Sequence, residues 1–522
     1  MTDRNKTAAI WERLKSLPKP TLNELFNADE GRVGELSQRL EFDIEGIDPV
    51  GIRLDWSKTH LDGEVLDAFE ALAEASGFAD ARTALFEGGI VNPTEGRPAT
   101  HGAMRGSGTD ADVEEAEALL ARMGMLVEAI HGVDGEGGAL GEINHLIHIG
   151  IGGSALGPDL AVDALTRDLK LVDVHVVSNI DGLALEQAFA ACDPATTLIA
   201  VASKTFTTTE TMINAASALK WLGDNGVSDP GGRVVALTAN PERAVEWGVD
   251  ETRILPFPES VGGRYSLWSS IGFPVAMAVG MEEFAAMLAG ARAMDTHFRG
   301  SEGRANGPLL AAFADLYYAR VRGCQTRAVF AYDERLALLP DYLQQLEMES
   351  NGKSVTSDGE PLDGPSAPIT WGGVGTDAQH AVFQLLHQGT HLIPVDFIAS
   401  IAPGDELDPA HHKALLANCF AQGAALMAGG NMSANGKDPA RSFAGDRPSA
   451  TILLDDCDAA TFGALIAFHE HRTFAAAVLL GINPFDQFGV ELGKKMAKEV
   501  ESGKGNFDAS TKALMEAAGL SE

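Results

Sequence analysis

Cysteine, basic residues and uninterrupted apolar runs are all scarce in this 522-residue chain. The four cysteines, Cys192, Cys324, Cys419 and Cys457, lie far apart with no CxxC pair. They suggest neither a disulfide framework nor a zinc site, and a reducing compartment suits them. Lysine and arginine number 39 against 74 aspartates and glutamates, for a formal charge of −35. So acidic a surface repels phosphate backbones and excludes nucleic acid as a partner. It also opposes the approach of a phosphorylated small molecule, so any anion site must be locally basic. No signal peptide is expected, because MTDRNKTAAIWERLKSL reads as an amphipathic helix with charges throughout. The longest apolar stretch of the C-terminal half, FGALIAFHEHRTFAAAVLLGI, is broken by His469, Glu470, His471 and Arg472. A conventional membrane span is thereby excluded. Together these absences predict a cytoplasmic protein.

Glycine, in contrast, is plentiful at 57 residues, and the 45% apolar and 22% charged fractions are those of a globular chain. The length allows roughly two to four domains. From residue 145 onward, strand-like and helix-like segments alternate. HLIHIGI (145–151), LVDVHVVSN (171–179), TTLIAVAS (196–203) and RVVALTAN (233–240) are each followed by a helical pattern. Later, RAVFAYD (327–333), APITWGG (367–373), HLIPVDFIAS (391–400) and ATILLDD (450–456) repeat the alternation. Strands and helices at this spacing predict two consecutive parallel βα domains of three layers, preceded by a helical segment.

Two loops of the first βα region suit an anion. SKTFTTTET (203–211) follows an apolar strand and opens a helix with five threonines, a serine and Lys204. Unpaired amides at a helix start, hydroxyl donors and a compact ammonium are what a phosphate needs. An ordinary ST-rich capping turn is the competing reading. HIGIGGSALGP (148–158) contains a literal GxGxxA, with Asp181 placed where a ribose-binding acid would stand in a dinucleotide enzyme. Alternatively, Gly152, Gly153 and Ser154 cradle a smaller anion, and two loops at one sheet edge then converge on one phosphate. The second loop would be superfluous in a dehydrogenase, which favours a small phosphate ester.

Other motifs are ambiguous by themselves. ESNGKS (349–354) is not a P-loop, because Glu347 stands where a glycine is required. Glu347 and Glu349 end a helix and either could serve as a general base, or neither. His387 and His391 are spaced i, i+4, but Gly389 between them argues against one metal-binding helix face. His469 and His471, two apart on a helix, suggest a structural or surface role. Arg264 in GGRYSLWSSIGFP could hold developing negative charge or form a surface ion pair. Gln487, Glu491 and Lys494 lie on a glycine-punctuated helix.

In this order, IGIGGSALGP, SKTFTTTET, GGRYSLWSSIG, QQLEMESNGK, HQGTHLIPVDF and GINPFDQFGVELGK resemble the hallmark segments of the glucose-6-phosphate isomerase (phosphoglucose isomerase) family. NPTEGRPATHGAMR (92–105) is a weaker match to another. The resemblance implies an α/β fold of two SIS-type three-layer α/β/α domains with mainly parallel sheets, plus helical N- and C-terminal segments. Residues 1–111 are then an N-terminal helical segment packing on the large domain, and 112–281 the smaller domain. The larger domain spans 282–508, and 509–522 is a helical tail. The family further implies a cytoplasmic homodimer, no metal or organic cofactor, and reversible conversion of glucose 6-phosphate to fructose 6-phosphate.

Roles transfer by motif. The resemblance implies that Gly153, Ser154, Ser203, Lys204, Thr205 and Thr208 bind the substrate phosphate, while Gln345 and Gln487 contact the sugar. It makes Glu349, rather than Glu347, the base, and Arg264 the stabiliser of a cis-enediolate. His380, rather than His387, would act with Lys494 in ring opening, reaching the site from the partner subunit. Such an isomerisation needs one group to take the C1 hydroxyl proton, another to protonate the ring oxygen, and a carboxylate serving both carbons. Some positions depart from the family pattern. Ala155 replaces a usual aspartate, His148 an asparagine, His391 a lysine and Phe488 a tryptophan, and Pro98 to Thr100 replace a more apolar stretch. A non-catalytic sugar-phosphate sensor, and an isomerase of broader range that includes mannose 6-phosphate, are the alternatives.

Overall fold

The computed structural model describes residues 4–132, 138–167, 170–433, 436 and 438–520. The chain divides into two compact units, Met1–Pro484 and Phe485–Glu522. Helices do form in the N-terminal part of the first unit, at Arg4–Ser16, Gly63–Ala75 and Phe78–Phe86 among others. Between them lie strands β1 (Ser37–Phe42) and β2 (Val50–Asp55), paired antiparallel with Ser37 opposite Asp55. The segment over 1–111, expected to be helical, thus also contributes two strands. β2 buries Val50, Ile52 and Leu54 on one face, whereas β1 buries only Leu40. Six residues with one buried apolar position carry almost no periodic signal.

A five-stranded sheet follows, made of β3 (His145–Ile149), β4 (Asp173–Val177), β5 (Thr197–Ala202), β6 (Val234–Thr238) and β7 (Ile254–Pro256). Its order is β4-β3-β5-β6-β7 and every neighbouring pair is parallel. All six residues of β5 are buried, as the unbroken apolar run TLIAVA requires of a strand covered on both faces. Leu185, Ala188, Ala215, Ala218, Leu222 and Ala244 from the crossover helices cover one face. Asp181 caps the helix Gly182–Ala191 by accepting from the Leu183 amide at 3.1 Å, so it is occupied as a helix cap. From β3 the chain steps to β4 on one side, then returns to β5 on the other. The crevice beyond the carboxyl ends of β3 and β5 is therefore the topological switch point, where ligands of open parallel sheets bind.

The second sheet contains β8 (Thr326–Tyr332), β9 (Ile369–Val374) and β10 (Val395–Ser400). A short ribbon, β11 (Gly430–Asn431) with β12 (Ser442–Phe443), precedes its last strand, β13 (Ser449–Leu454). The order is β1-β2-β13-β10-β8-β9, parallel from β13 to β9 and antiparallel where β2 joins β13. The fold is thus mixed α/β with mainly parallel sheets.

The helix Ala459–Leu480 is buried along its length except at Val478. Its polar run is internal because each charge meets a partner. Arg105 joins Asp295, at 2.7 and 2.8 Å, to Glu470, at 2.5 Å. The indole N–H of Trp268 donates to Glu470 at 2.8 Å, and His471 Nε2 lies 2.7 Å from Asp295. Arg472 binds Asp315 and Asp396. His471 is therefore part of this interior network and His469 is buried beside it, so the surface alternative does not hold. Among the described residues no helix is long and apolar enough to cross a membrane. In the second unit, helices Glu491–Glu501 and Ala509–Ala517 follow a short turn, the latter capped by Asp508.

Candidate active site

Three segments meet at the small sheet's switch point. Gly152–Ser154 forms a single 3-10 turn after β3, with Gly152 at φ +57°, a region that favours glycine. A Cβ on Gly153 would lie 2.1 Å from the carbonyl carbon of Gly263, so this turn and the GGRY turn touch backbone to backbone. Ser266 Oγ donates to the Gly263 carbonyl at 2.7 Å and fixes the second turn. A Cβ on Gly152 would lie 3.0 Å from Gln345 Nε2, which brings in the helix Leu339–Asn351. Buried His148 fixes the first turn from below, its Nε2–H donating to the Ser154 carbonyl at 2.7 Å. Burial lowers this imidazole to about 4, so it stays a neutral donor. The departure at His148 thus supplies a buried hydrogen-bond donor to the turn.

The 203–208 loop leaves β5 directly beside the Gly152–Ser154 turn, since Ile149 and Val201 are register partners. Ser203 Oγ pairs with Thr208 Oγ1 at 3.0 Å, and Thr205 Oγ1 with Thr207 Oγ1 at 2.8 Å. Thr208 is the N-cap of the helix Thr209–Asp224, and its side chain makes no capping bond. First-turn amides therefore remain available to an anion. Phe206 has φ +53° and is buried in the sheet's core, edge-on to Trp247. A bulky side chain held in that region pins the loop's shape. Lys204 donates to the carbonyls of Glu259 at 2.6 Å and Val261 at 3.2 Å, so its head ties this loop to the next one. Burial, reinforced by Arg97, lowers its ammonium to about 8.

Geometry separates the two carboxylates that spacing left equivalent. Glu347 is buried in an ion pair with Arg327 and accepts from Thr370 Oγ1 at 2.6 Å. It belongs to the interior network shared with Asp315 and Asp396. Glu349 keeps 18% of its side chain exposed and accepts from Gln345 Nε2 at 2.9 Å. Its Oε2 stands 3.5 Å from Arg264 Nη1. Arg264 is only 3% exposed; its Nε donates to Ser350 Oγ at 2.6 Å and its Nη2 to the Pro484 carbonyl. Tyr265 Oη lies 2.9 Å from the same Ser350 hydroxyl. Gly152, Gly153, Arg264, Gln345 and Glu349 thus form one continuous cluster.

The remaining expected residues are placed differently. His380 is exposed on the short helix Asp377–Ala381, entered through Thr376 at φ +56°. His387 is 2.9 Å from Gln422 Oε1, and its helix stops at Gln388, so it shares no helix face with His391. Within the second unit, Gln487 precedes the turn Phe488–Val490, and Lys494 pairs with Glu491 at 2.9 Å. Three supporting residues escaped the sequence reading. Ser350 holds Arg264, Lys353 Nζ binds the Glu349 carbonyl at 2.9 Å, and Arg97 adds positive charge beside Lys204. Ser350 and Lys353 lie inside the ESNGKS segment, and Arg97 inside NPTEGRPATHGAMR.

Comparison with known proteins identifies the family and the fold. The family model described as phosphoglucose isomerase matches residues 55–515. A glucose-6-phosphate isomerase of Erythrobacter litoralis is 73% identical, with 100% of both chains covered. One from Novosphingobium aromaticivorans is 69% identical over 98% of each. The crystal structure of a glucose-6-phosphate isomerase from Chlamydia trachomatis superposes with a TM-score of 0.87 at 28% identity, covering 99% of each chain.

Proposed function

The chain belongs to the phosphoglucose isomerase family, and from that premise we propose that it interconverts glucose 6-phosphate and fructose 6-phosphate. The observation that carries the reading to this site is the partly open Glu349 carboxylate, 3.5 Å from a fixed guanidinium and next to a glycine turn. A sensor needs an anion cradle but no base and no cation positioned beside it.

In this proposal Ser154, Ser203, Lys204, Thr205 and Thr208, with the Gly153 backbone, hold the phosphate. That binding energy fixes the distance from the handle to the reacting carbons. His380 and Lys494 open the pyranose, one taking the C1 hydroxyl proton while the other protonates the ring oxygen. Glu349 removes the C2 proton, the electron pair forms the C1–C2 double bond of a cis-enediolate, and the same carboxylic acid returns a proton to C1. The two carbons exchange oxidation level, and no external oxidant or reductant enters. Arg264 faces the developing oxygen charge. Its three fixed contacts, to Ser350, Pro484 and Tyr265, mean that little reorganisation accompanies the charge. Gln345 orients Glu349, and Gln345 and Gln487 contact the sugar.

The proposal places His380 in the site of the partner subunit of a homodimer, and its exposure on a short helix supports that role. It assigns the protein to the cytoplasm, with no metal or organic cofactor in the reaction. Residues 112–281 and 282–508 serve as the two SIS-type domains, flanked by 1–111 and 509–522. Purified protein supplied with fructose 6-phosphate should produce glucose 6-phosphate in a dehydrogenase-coupled assay. Tight sugar-phosphate binding with no product formed would support the sensor instead.

A further inference from the structure

An unexplained cluster lies at the opposite end of the small sheet, where the strands begin. His145 opens β3, His175 is the third residue of β4, and Cys192 ends the helix Gly182–Ala191. In the parallel register His145 faces Asp173 and Ile147 faces His175. His145, Ile147, His175 and Val177 therefore project to one face of the sheet, the face covered by Leu185, Ala188 and Cys192. One donor atom of each of His145, His175 and Cys192 lies within 4.8 Å of the other two. His145 Nδ1 and His175 Nε2 are buried and have no hydrogen-bond partner.

A buried polar atom without a partner destabilises the fold. Two such nitrogens beside a thiol are not explained by packing, because the imidazole rings are 6.3 Å apart and tilted by 35° rather than stacked. Thr197, directly opposite His145, donates to the Asp193 carbonyl at 2.5 Å and also meets the Cys192 thiol. Lys170, the nearby cation, is paired with Asp173.

We propose that His145, His175 and Cys192 bind a zinc-class divalent cation, with the fourth coordination position open to solvent at the free edge of β4. Two imidazoles and a thiolate are a borderline-to-soft donor set, which suits Zn2+ and disfavours Mg2+ or Ca2+. Metal–nitrogen bonds of about 2.0–2.1 Å and a metal–sulfur bond of about 2.3 Å place tetrahedral donors roughly 3.5 Å apart. Small χ rotations of two half-exposed histidines close the remaining gap. On binding, both imidazoles donate neutral nitrogen lone pairs, and the thiol proton leaves to solvent as the metal–sulfur bond forms. Burial already holds His175 below its usual range, in the neutral form a metal requires. It also pushes Cys192 up to about 11, a cost the metal offsets because a coordinated thiol ionises.

Ligands separated by 30 and 17 positions match no short zinc motif, which is why cysteine spacing concealed them. The site is at the amino ends of the strands, whereas the phosphate loops leave their carboxyl ends. Metal there ties edge strand β4 to β3 and to the following helix without entering the isomerisation.

The test uses the full-length protein, stripped with a chelator and then titrated with Zn2+ by calorimetry and with Co2+ by absorption. Expected are one equivalent per chain, a rise in melting temperature, and a thiolate-to-cobalt charge-transfer band. Cys192→Ser should remove the band and weaken Zn2+ binding by about tenfold or more, with isomerase turnover unchanged. His175→Ala provides a second ligand deletion whose folding is checked by circular dichroism. No stoichiometric binding, or a charge-transfer band that survives in Cys192→Ser, would overturn the proposal.

Discussion

Replacing Gly153 by alanine tests whether the contact between the Gly152–Ser154 turn and the GGRY turn sets catalytic geometry. The added Cβ would sit 2.1 Å from Gly263 C, 2.3 Å from its carbonyl oxygen and 2.5 Å from the Arg264 amide. All three are backbone atoms and cannot rotate away. Restoring an ordinary 3.4 Å contact requires the turns to part by about 1.3 Å. Overpacking of this kind costs about 1–3 kcal/mol of stability. The larger effect is functional, because the displaced turn carries Ser154 and the other carries Arg264. A misplacement of about 1 Å can cost roughly 100-fold in rate, so kcat/KM in the coupled assay should fall by about that factor. Gly182→Ala is the control. Its Cβ meets nothing within 4 Å and it opens a helix, so stability should rise by about 0.4–1 kcal/mol at unchanged activity. A folded Gly153→Ala enzyme with wild-type kcat/KM would refute the claim that these turns must touch.

Further expectations concern charge and ring opening. Lys204, lowered to about 8 from 10.5, is charged below that pH in both folded and unfolded chains, and burial then costs stability. That cost fades as pH rises from about 8, where the folded chain loses the proton, to 10.5, where the unfolded chain does. The ammonium proposed for the phosphate is lost through about 8. Hence kcat/KM should fall as pH rises through about 8, and Lys204→Arg should shift the fall upward; identical profiles would remove Lys204 from the binding site. His380→Ala should slow the cyclic substrate far more than C2 proton exchange in the open sugar, and equal losses would contradict its ring-opening role. Arg105→Met strips the cation from Asp295 and Glu470, both with side chains 0% exposed. Urea unfolding should show a loss of about 3–5 kcal/mol, and a change below about 1 would mean the interior network contributes little.

The parallel strands were legible because burial on both faces demands unbroken apolar runs. LIAVA and VVALT carry that pattern, and their boundaries moved by only a residue or two. The β1–β2 hairpin was not legible, since its stability comes from pairing with β13 almost four hundred residues later. The buried HEHR run left a structural and a surface role open until Arg105, Asp295 and Asp315 supply partners from distant segments. At the site, the glycine turns and threonine loop suggested an anion through local chemistry alone. Choosing Glu349 over Glu347 by geometry, however, required knowing that Arg327 and Thr370 occupy the latter. The His145–His175–Cys192 cluster depends on tertiary proximity and leaves no local trace.

The central claim is that Glu349 carries a proton between the two sugar carbons, and isotope exchange tests it most directly. Fructose 6-phosphate equilibrated with the enzyme in D2O should yield glucose 6-phosphate bearing deuterium at C2, read by proton NMR. Glu349→Gln should reduce that incorporation by about 100- to 10,000-fold while sugar-phosphate binding persists. Deuterium appearing at the wild-type rate in Glu349→Gln would contradict the account.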